Sequence, residues 1–401
     1  MNRPSAWSMW ALASFFYAYQ CALRVAPSVL MNDITTKFQI DATMMGQFSG
    51  AYYLGYSLIH IPVGILLDRF GPKRILPVFI LLVVAGMSPL IWSEFWVYPI
   101  IGRALVGIGS SAAILGVFKV IRMAFGKDQF TWMLSLSVTI GLIGSINGGG
   151  PLNSLNAQVG FDFVIAILMA LGVVLSVITF FLLPNTDGSG RSENVLKDIA
   201  SVLKNKSVLA ICFLAGLMVG PLEGFADVWG STFLQIVYQM DASTAASLPS
   251  TIFLGMCVGG PILSLVARKI NDIRTIFGCG AIMGMAFWAL LMKWIPEGLL
   301  PFAFFAVGVA CAYQIIAIAH ASTRVPESQM GLTSAIANMI IMTFGYVFHA
   351  LIGGAIGLAS KGEINMQALT NDALVTGLLV IPVALAIASV GYFILALKET
   401  R

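Results

Sequence analysis

Residues 64–74 read GILLDRFGPKR. The apolar run leading into this stretch stops at Asp68, Gly71-Pro72 makes a tight turn, and Lys73 and Arg74 close it. On either side lie apolar segments, 45–67 and 75–93. Each is of the length that crosses a bilayer, roughly 20 residues. The stretch therefore reads as a short charged turn between two membrane-spanning helices, with Gly64 allowing their close approach.

The same pattern extends along all 401 residues. Twelve segments qualify as spans, at 7–31, 45–67, 75–93, 96–124, 130–152, 162–184, 208–238, 244–267, 275–293, 299–322, 331–358 and 373–397. Hydrophobic residues make up 58% of the chain and charged residues 10%, where a soluble domain carries about 25% charged. So little polar surface cannot cover a particle in water. A soluble enzyme, a secreted disulfide scaffold and a disordered chain are excluded. Cys21, Cys212, Cys257, Cys279 and Cys311 all fall in apolar runs without a C-x-x-C pair, which points to neither a disulfide framework nor a zinc site. The first apolar run is longer than the core of a signal peptide and reads as the first span.

Charge placement orients the spans. With both termini in the cytoplasm, Lys37, Lys293 and Lys361 of the 22 Lys and Arg residues fall on the outer side, and Arg24, Arg103 and Lys119 fall within spans more than a few residues from their ends. The rest lie on the inner side, as the positive-inside rule requires, and the net charge of +4 reflects this bias rather than affinity for nucleic acid. The longest polar stretch, 185–207, divides the chain into six spans and six, giving an N-terminal bundle over 1–184, a cytoplasmic linker and a C-terminal bundle over 208–401. Val195, Ile199, Val202 and Leu203 have helical spacing, so the second half of the linker is expected to lie on the membrane surface. YLGYSLIHIP at 53–62 and FLGMCVGGP at 253–261 are a faint internal repeat at half the chain length. Repeats of this kind build transporters.

The pattern in Gly64, Asp68, Arg69, Gly71, Lys73 and Arg74 resembles the signature between the second and third helices of the major facilitator superfamily. With twelve spans in a six-plus-six layout, the resemblance covers the whole chain. It implies an all-α fold of two pseudo-symmetric six-helix bundles, and a conformational latch in which Asp68 faces the N-terminus of the eleventh helix near Gly331. The helix dipole favours a carboxylate there. The matching turn of the second half, ARKINDIR at 267–274, is degenerate, with Ala267 aligned on Asp68. Arg103-x-x-x-Gly107-x-Gly109 is similar to the family motif associated with proton coupling, and Gly141, Gly144 and GGGP at 148–151 loosely resemble the glycine-rich antiporter motif. The segment FFYAYQCALRVAPSVL at 15–30 is similar to a bacterial branch related to the lysosomal dipeptide transporters.

Ionisable groups inside spans are costly and mark functional sites by default. Arg24 and Glu223 each lie about 23–25 Å from the inner end of their helices, at 1.5 Å per residue. The family resemblance makes the first and seventh helices equivalent and places them on opposite walls of a central cavity. Asp227 follows Glu223 by four residues and shares its helix face. Two carboxylates so close suit a proton site. Gly220, Pro221 and Gly224 predict a break in that helix, and broken helices build substrate sites in transporters. Arg24 is suited to a substrate carboxylate through its planar fork. Glu223 or Asp227 would hold an ammonium group or the coupling proton, and Arg24 with Glu223 could equally form a structural or gating ion pair. Arg103 is assigned to coupling by the motif resemblance. Lys119 is expected to extend its ammonium to the inner surface. His60, His320 and His349 have no metal-site spacing and read as hydrogen-bonded interior residues. Tyr17, Tyr19, Gln20, Trp229, Tyr313, Gln314 and Asn338 complete the candidate cavity groups.

No P-loop, H-E-x-x-H or G-x-S-x-G motif occurs, so neither an ATPase nor a hydrolase is indicated. The chain is expected to be a secondary transporter without a cofactor. It would move a small zwitterionic or charged solute, amino acids or short peptides first, by alternating access and proton symport. The competing readings are proton-coupled export of organic cations or drugs, transport of organic anions, and a membrane-embedded enzyme or sensor. A monomer in a bacterial inner membrane is the expected setting.

Overall fold

The computed structural model describes residues 5–125, 129–185 and 195–399, and these are helical with no strand among them. Arg3, Lys127, Arg191 and Arg401 of the inner-face cations lie outside the described residues, as does 186–194 of the linker. Ten described helices are long and apolar enough to cross a membrane, and eleven if one pair bent by 40° counts as a span. The twelfth expected span is the first, whose N-terminal helix carries Ser14, Tyr17, Gln20 and Arg24. The chain forms two compact units, one of Met1–Phe38 and Ala51–Glu193, the other of Gln39–Gly50 and Asn194–Arg401.

The first unit holds α1 (Ala6–Val25), α2 (Pro27–Phe38), most of α3 (Ala42–Phe70), α4 (Pro72–Met87), α5 (Pro89–Trp92), α6 (Val97–Ala124), α7 (Phe130–Asn147), α8 (Gly150–Val159) and α9 (Phe161–Leu182). Glycines set its closest helix contacts. A Cβ at Gly144 of α7, or at Gly148 just after it, would overlap the carbonyl of Ala18 or Ala22 on α1. The glycine-rich stretch of the fifth span is thus explained by close packing on α1. Gly64 does not play the part expected of it: a Cβ there would meet only the end of the Leu115 side chain, at 4.0 Å. The tight approach on α3 is at Gly55, where a Cβ would overlap the Ala104 carbonyl.

The second unit holds the start of α3, then α10 (Val195–Lys204), α11 (Lys206–Gly216), a π-helical segment (Gly220–Trp229), α12 (Gly230–Val237), α13 (Ala242–Ser247), α14 (Ser250–Ile270) and α15 (Asp272–Leu291). It continues with α16 (Leu300–Cys311), α17 (Tyr313–Ser322), α18 (Met330–Ala359), α19 (Asn371–Leu378) and α20 (Val380–Glu399). The amphipathic helix expected in the linker is α10, and its Val202 is buried.

The two charged turns adopt one backbone conformation. Gly71 has φ 77° and ψ 162°, and Asn271, 200 residues later, has φ 89° and ψ 150°. Each precedes a helix. The equivalence puts Arg268, not Ala267, opposite Asp68, which corrects the alignment drawn from sequence. Asn271 lacks glycine's freedom at positive φ, but its Oδ1 accepts from the Ile273 amide at 2.8 Å and so caps α15.

Candidate functional site

Arg24 stands one residue before the end of α1. Pro27 has no amide hydrogen and begins α2, and the helix is interrupted between Val25 and Pro27. Tyr17, Gln20 and Arg24, spaced three and four apart, share one face of α1. Arg24 is half-buried, and its charge acts on the Tyr17 and Tyr52 hydroxyls. Tyr52 donates to Gln20 Oε1 at 2.5 Å. Tyr52, Tyr56 and His60 form a stripe along α3, with ring centroids 6.1 Å and 5.2 Å apart. Arg103 of α6 lies 4.9 Å from the Tyr52 ring centroid, and its Nη1 and Nη2 donate to the carbonyls of Leu23 at 2.9 Å and Arg24 at 3.0 Å. Tyr19 is not part of this group: its hydroxyl donates to the Leu168 carbonyl of α9.

The break expected in the seventh span is the π-helical segment Gly220–Trp229. Pro221 falls in its first turn, where a missing amide hydrogen leaves no gap. At its end the Gly230 amide donates to the Phe225 carbonyl, five residues back. π-helical turns of this kind recur at functional sites. Gly220 and Gly224 lie against Phe348, Ile352 and Ile381, which lets α18 and α20 close on one side of the segment. Glu223 and Asp227 are fully buried. Glu223 lies within electrostatic reach of Cys311 and Tyr313, at the point where α16 gives way to α17. Tyr313 donates to the Ala215 carbonyl at 2.7 Å and ties that break to the end of α11. Trp229 Nε1 and Gln314 Nε2 are buried donors with no hydrogen-bond partner among the described residues. Asn338 is half-buried on α18.

At the basic end of each unit lies an ion pair that sequence reading missed. Lys119 Nζ meets Asp68 Oδ1 at 2.7 Å, so Lys119 reaches a carboxylate rather than open solvent. Arg69 lies over the Phe70 ring and Lys73 over Phe180, while Arg74 is exposed. In the second unit His320 bridges two charges. Its Nδ1 is 3.1 Å from Asp272 Oδ2 and its Nε2 is 2.8 Å from Arg324 Nη2. Arginine only donates, so Nε2 is the acceptor in the Arg324 contact, and Nδ1 is left to donate to Asp272. Asn205 donates to the Arg324 carbonyl and so joins the start of α11 to the network. The ring stripe on α3 was also missed, although its i, i+4, i+8 spacing is visible in the sequence.

Such a scaffold defines a polytopic membrane transport protein. A family model for the Major Facilitator Superfamily matches residues 10–349. The chain belongs to that superfamily and is a transporter rather than an enzyme. It is 23% identical over 405 residues to the "Probable galactarate/D-glucarate transporter GudP" of Escherichia coli K12, covering 89% of this chain and 87% of the relative. Over 299 residues it is 22% identical to the "Hexuronate transporter" of Bacillus subtilis, covering 67% and 69%. With the "Fosmidomycin resistance protein" of Escherichia coli it shares 23% identity over 346 residues, covering 82% and 80%. Among solved structures it matches a bacterial homologue of the lysosomal transporter Spinster, inward-facing and occupied, with TM-score 0.71, 16% identity and coverage of 98% and 97%. A point mutant of the nucleoside transporter NupG gives TM-score 0.79, 13% identity and coverage of 96% and 99%.

Proposed function

We propose that this protein is a proton-coupled importer of small organic carboxylates, working by alternating access. The observation that carries the reading is Arg24, a half-buried guanidinium on a helix face shared with Tyr17 and Gln20. Its planar fork matches a carboxylate through two parallel hydrogen bonds. The coupling proton is assigned to Glu223 and Asp227, because buried ionisable groups within spans are the usual members of proton relays. Within the second unit, Trp229, Tyr313, Gln314 and Asn338 are the further candidate polar and aromatic groups. Relatives named for galactarate, glucarate and hexuronate favour a sugar acid as the carboxylate. Amino acids and short peptides carry the same group, which keeps the zwitterion as the second reading. Asp68, with Arg69, Gly71, Lys73 and Arg74, forms the conformational latch. We place the protein as a monomer in a bacterial inner membrane, with both termini cytoplasmic.

The test is uptake of labelled D-glucarate into proteoliposomes with and without an inward proton gradient, with amino acids and dipeptides as competitors. Gradient-stimulated uptake that is lost in Arg24→Ala is the expected result. Uptake of none of these carboxylates, in vesicles shown to contain oriented protein, would sink the substrate class.

A further inference from the structure

The geometry points to a role for Arg103 other than moving a proton: we propose that it is a positioning residue, a two-pronged clamp on the broken end of α1 that fixes where Arg24 stands. In an uninterrupted helix the Leu23 carbonyl would accept from the amide of residue 27. Residue 27 is proline, so that acceptor loses its donor inside a membrane-spanning segment, where water does not supply another. Arg103 Nη1 takes the missing amide's place at 2.9 Å, and Nη2 reaches the next carbonyl, that of Arg24 itself, at 3.0 Å. A planar guanidinium spans two successive carbonyls in this way, and a lysine ammonium does not reproduce the fork.

The clamp has a second arm. The guanidinium lies 4.9 Å from the Tyr52 ring centroid, and Tyr52 in turn holds Gln20 at 2.5 Å, one turn before Arg24. Gly107, one turn beyond Arg103, makes this possible, because a Cβ there would overlap the Tyr52 carbonyl and push α6 away from α3. Arg103 therefore sets the backbone of Arg24 directly and the face of α1 through Tyr52. A guanidinium does not give up its proton in proteins, and this one is 6% exposed with two carbonyls engaged. The arrangement suits a fixed structural cation. The proposal uses the reading of Arg24 as the carboxylate receptor only in its transport arm.

The first experiment is a thermal-melting cycle on the purified full-length protein, using Pro27→Ala, Arg103→Gln and the double variant. Arg103→Gln is expected to lower Tm by ~5 °C or more, the scale of buried acceptors left unsatisfied. In the Pro27→Ala background the amide of residue 27 is restored, and the same change should cost less than half as much. Equal losses in the two backgrounds would overturn the clamp. If Arg103→Gln does not fold, Arg103→Lys carries the same cycle. Arg103→Lys is itself expected to keep the charge and still lose most of the stability, and wild-type melting of that variant would also overturn the proposal. In proteoliposomes the probe is D-glucarate. Arg103→Lys should raise the half-saturation concentration by about ten-fold or more in both counterflow and gradient-driven uptake, with an unchanged pH profile. Intact counterflow with lost accumulation would assign Arg103 to coupling instead. If wild-type protein does not transport D-glucarate, the substrate reading fails while the melting cycle still decides the clamp.

Discussion

The two units break their first long helix in different ways. In the first, Pro27 ends the hydrogen-bond ladder and a side chain from α6 fills the gap. In the second, the segment Gly220–Trp229 widens into π-helical bonding and closes the ladder with its own backbone. The charges beside the breaks are opposite: Arg24 in one unit, Glu223 and Asp227 in the other. A repeat-built fold thus keeps the position of a break while the local sequence decides both how it is satisfied and what chemistry it carries. A break sealed from outside depends on its partner helix. A break sealed from within depends on glycine, and here Gly220 and Gly224 let neighbouring side chains lie against it.

The sharpest way to break this comparison is to neutralise the acids. Glu223→Gln with Asp227→Asn should abolish gradient-driven accumulation of D-glucarate, by about a hundred-fold, the scale on which a lost proton-transfer group is felt. Counterflow, which needs no net proton movement, should persist. Accumulation that survives the double change would remove proton coupling from the second unit. Arg24→Lys should have the next largest effect. It keeps the charge and loses the fork, so a rise of roughly ten-fold in the half-saturation concentration is expected. Concentration series of uptake rates would measure it. No change would show that only charge is read at that position.

How much of this was legible in the sequence follows from what each signal depends on. The membrane-spanning, all-helical character follows from composition, and ten or eleven of the twelve expected spans qualify among the described residues. The break in the seventh span was readable because Gly220, Pro221 and Gly224 act locally. The partner of Lys119 was not readable, because Asp68 lies 51 residues away and meets it only when α3 and α6 pack. The clamp of Arg103 on Leu23 spans 80 residues and was hidden for the same reason. Gly64 misled in the opposite direction: it fits a family motif, yet the close helix contacts of α3 fall elsewhere. Tyr19 was indistinguishable from Tyr17 by composition, and only the direction of its side chain, toward α9, separates them.

The turns extend the comparison at smaller scale. Gly71 sits at φ 77° without a side-chain cap, whereas Asn271 sits at φ 89° with its own Oδ1 on the Ile273 amide. Gly71→Ala should cost about 1–3 kcal/mol, because only glycine is at ease there. Asn271→Gly relieves strain but loses the cap, and its net effect should stay within roughly 1 kcal/mol. Melting temperatures of the two variants test this, and a large loss at Asn271 would mean that the cap rather than the backbone dominates the second turn.

The ion pairs beside those turns are compared by screening. Asp68 and Lys119 have side chains 55% and 22% exposed, so water weakens their attraction. A double-mutant cycle with Asp68→Asn and Lys119→Met should return a coupling of about 0.2–1 kcal/mol. His320 is 10% exposed and held from two sides, by Asp272 and by Arg324, whose carbonyl is in turn bonded to Asn205. Members of such a network support one another, and a cycle with Asp272→Asn and His320→Gln should give a larger coupling, roughly 1–2 kcal/mol. Melting of the single and double variants at one fixed pH measures both. Equal couplings would mean that Arg324 adds nothing to the histidine bridge, and the second turn would then be held by its helix cap alone.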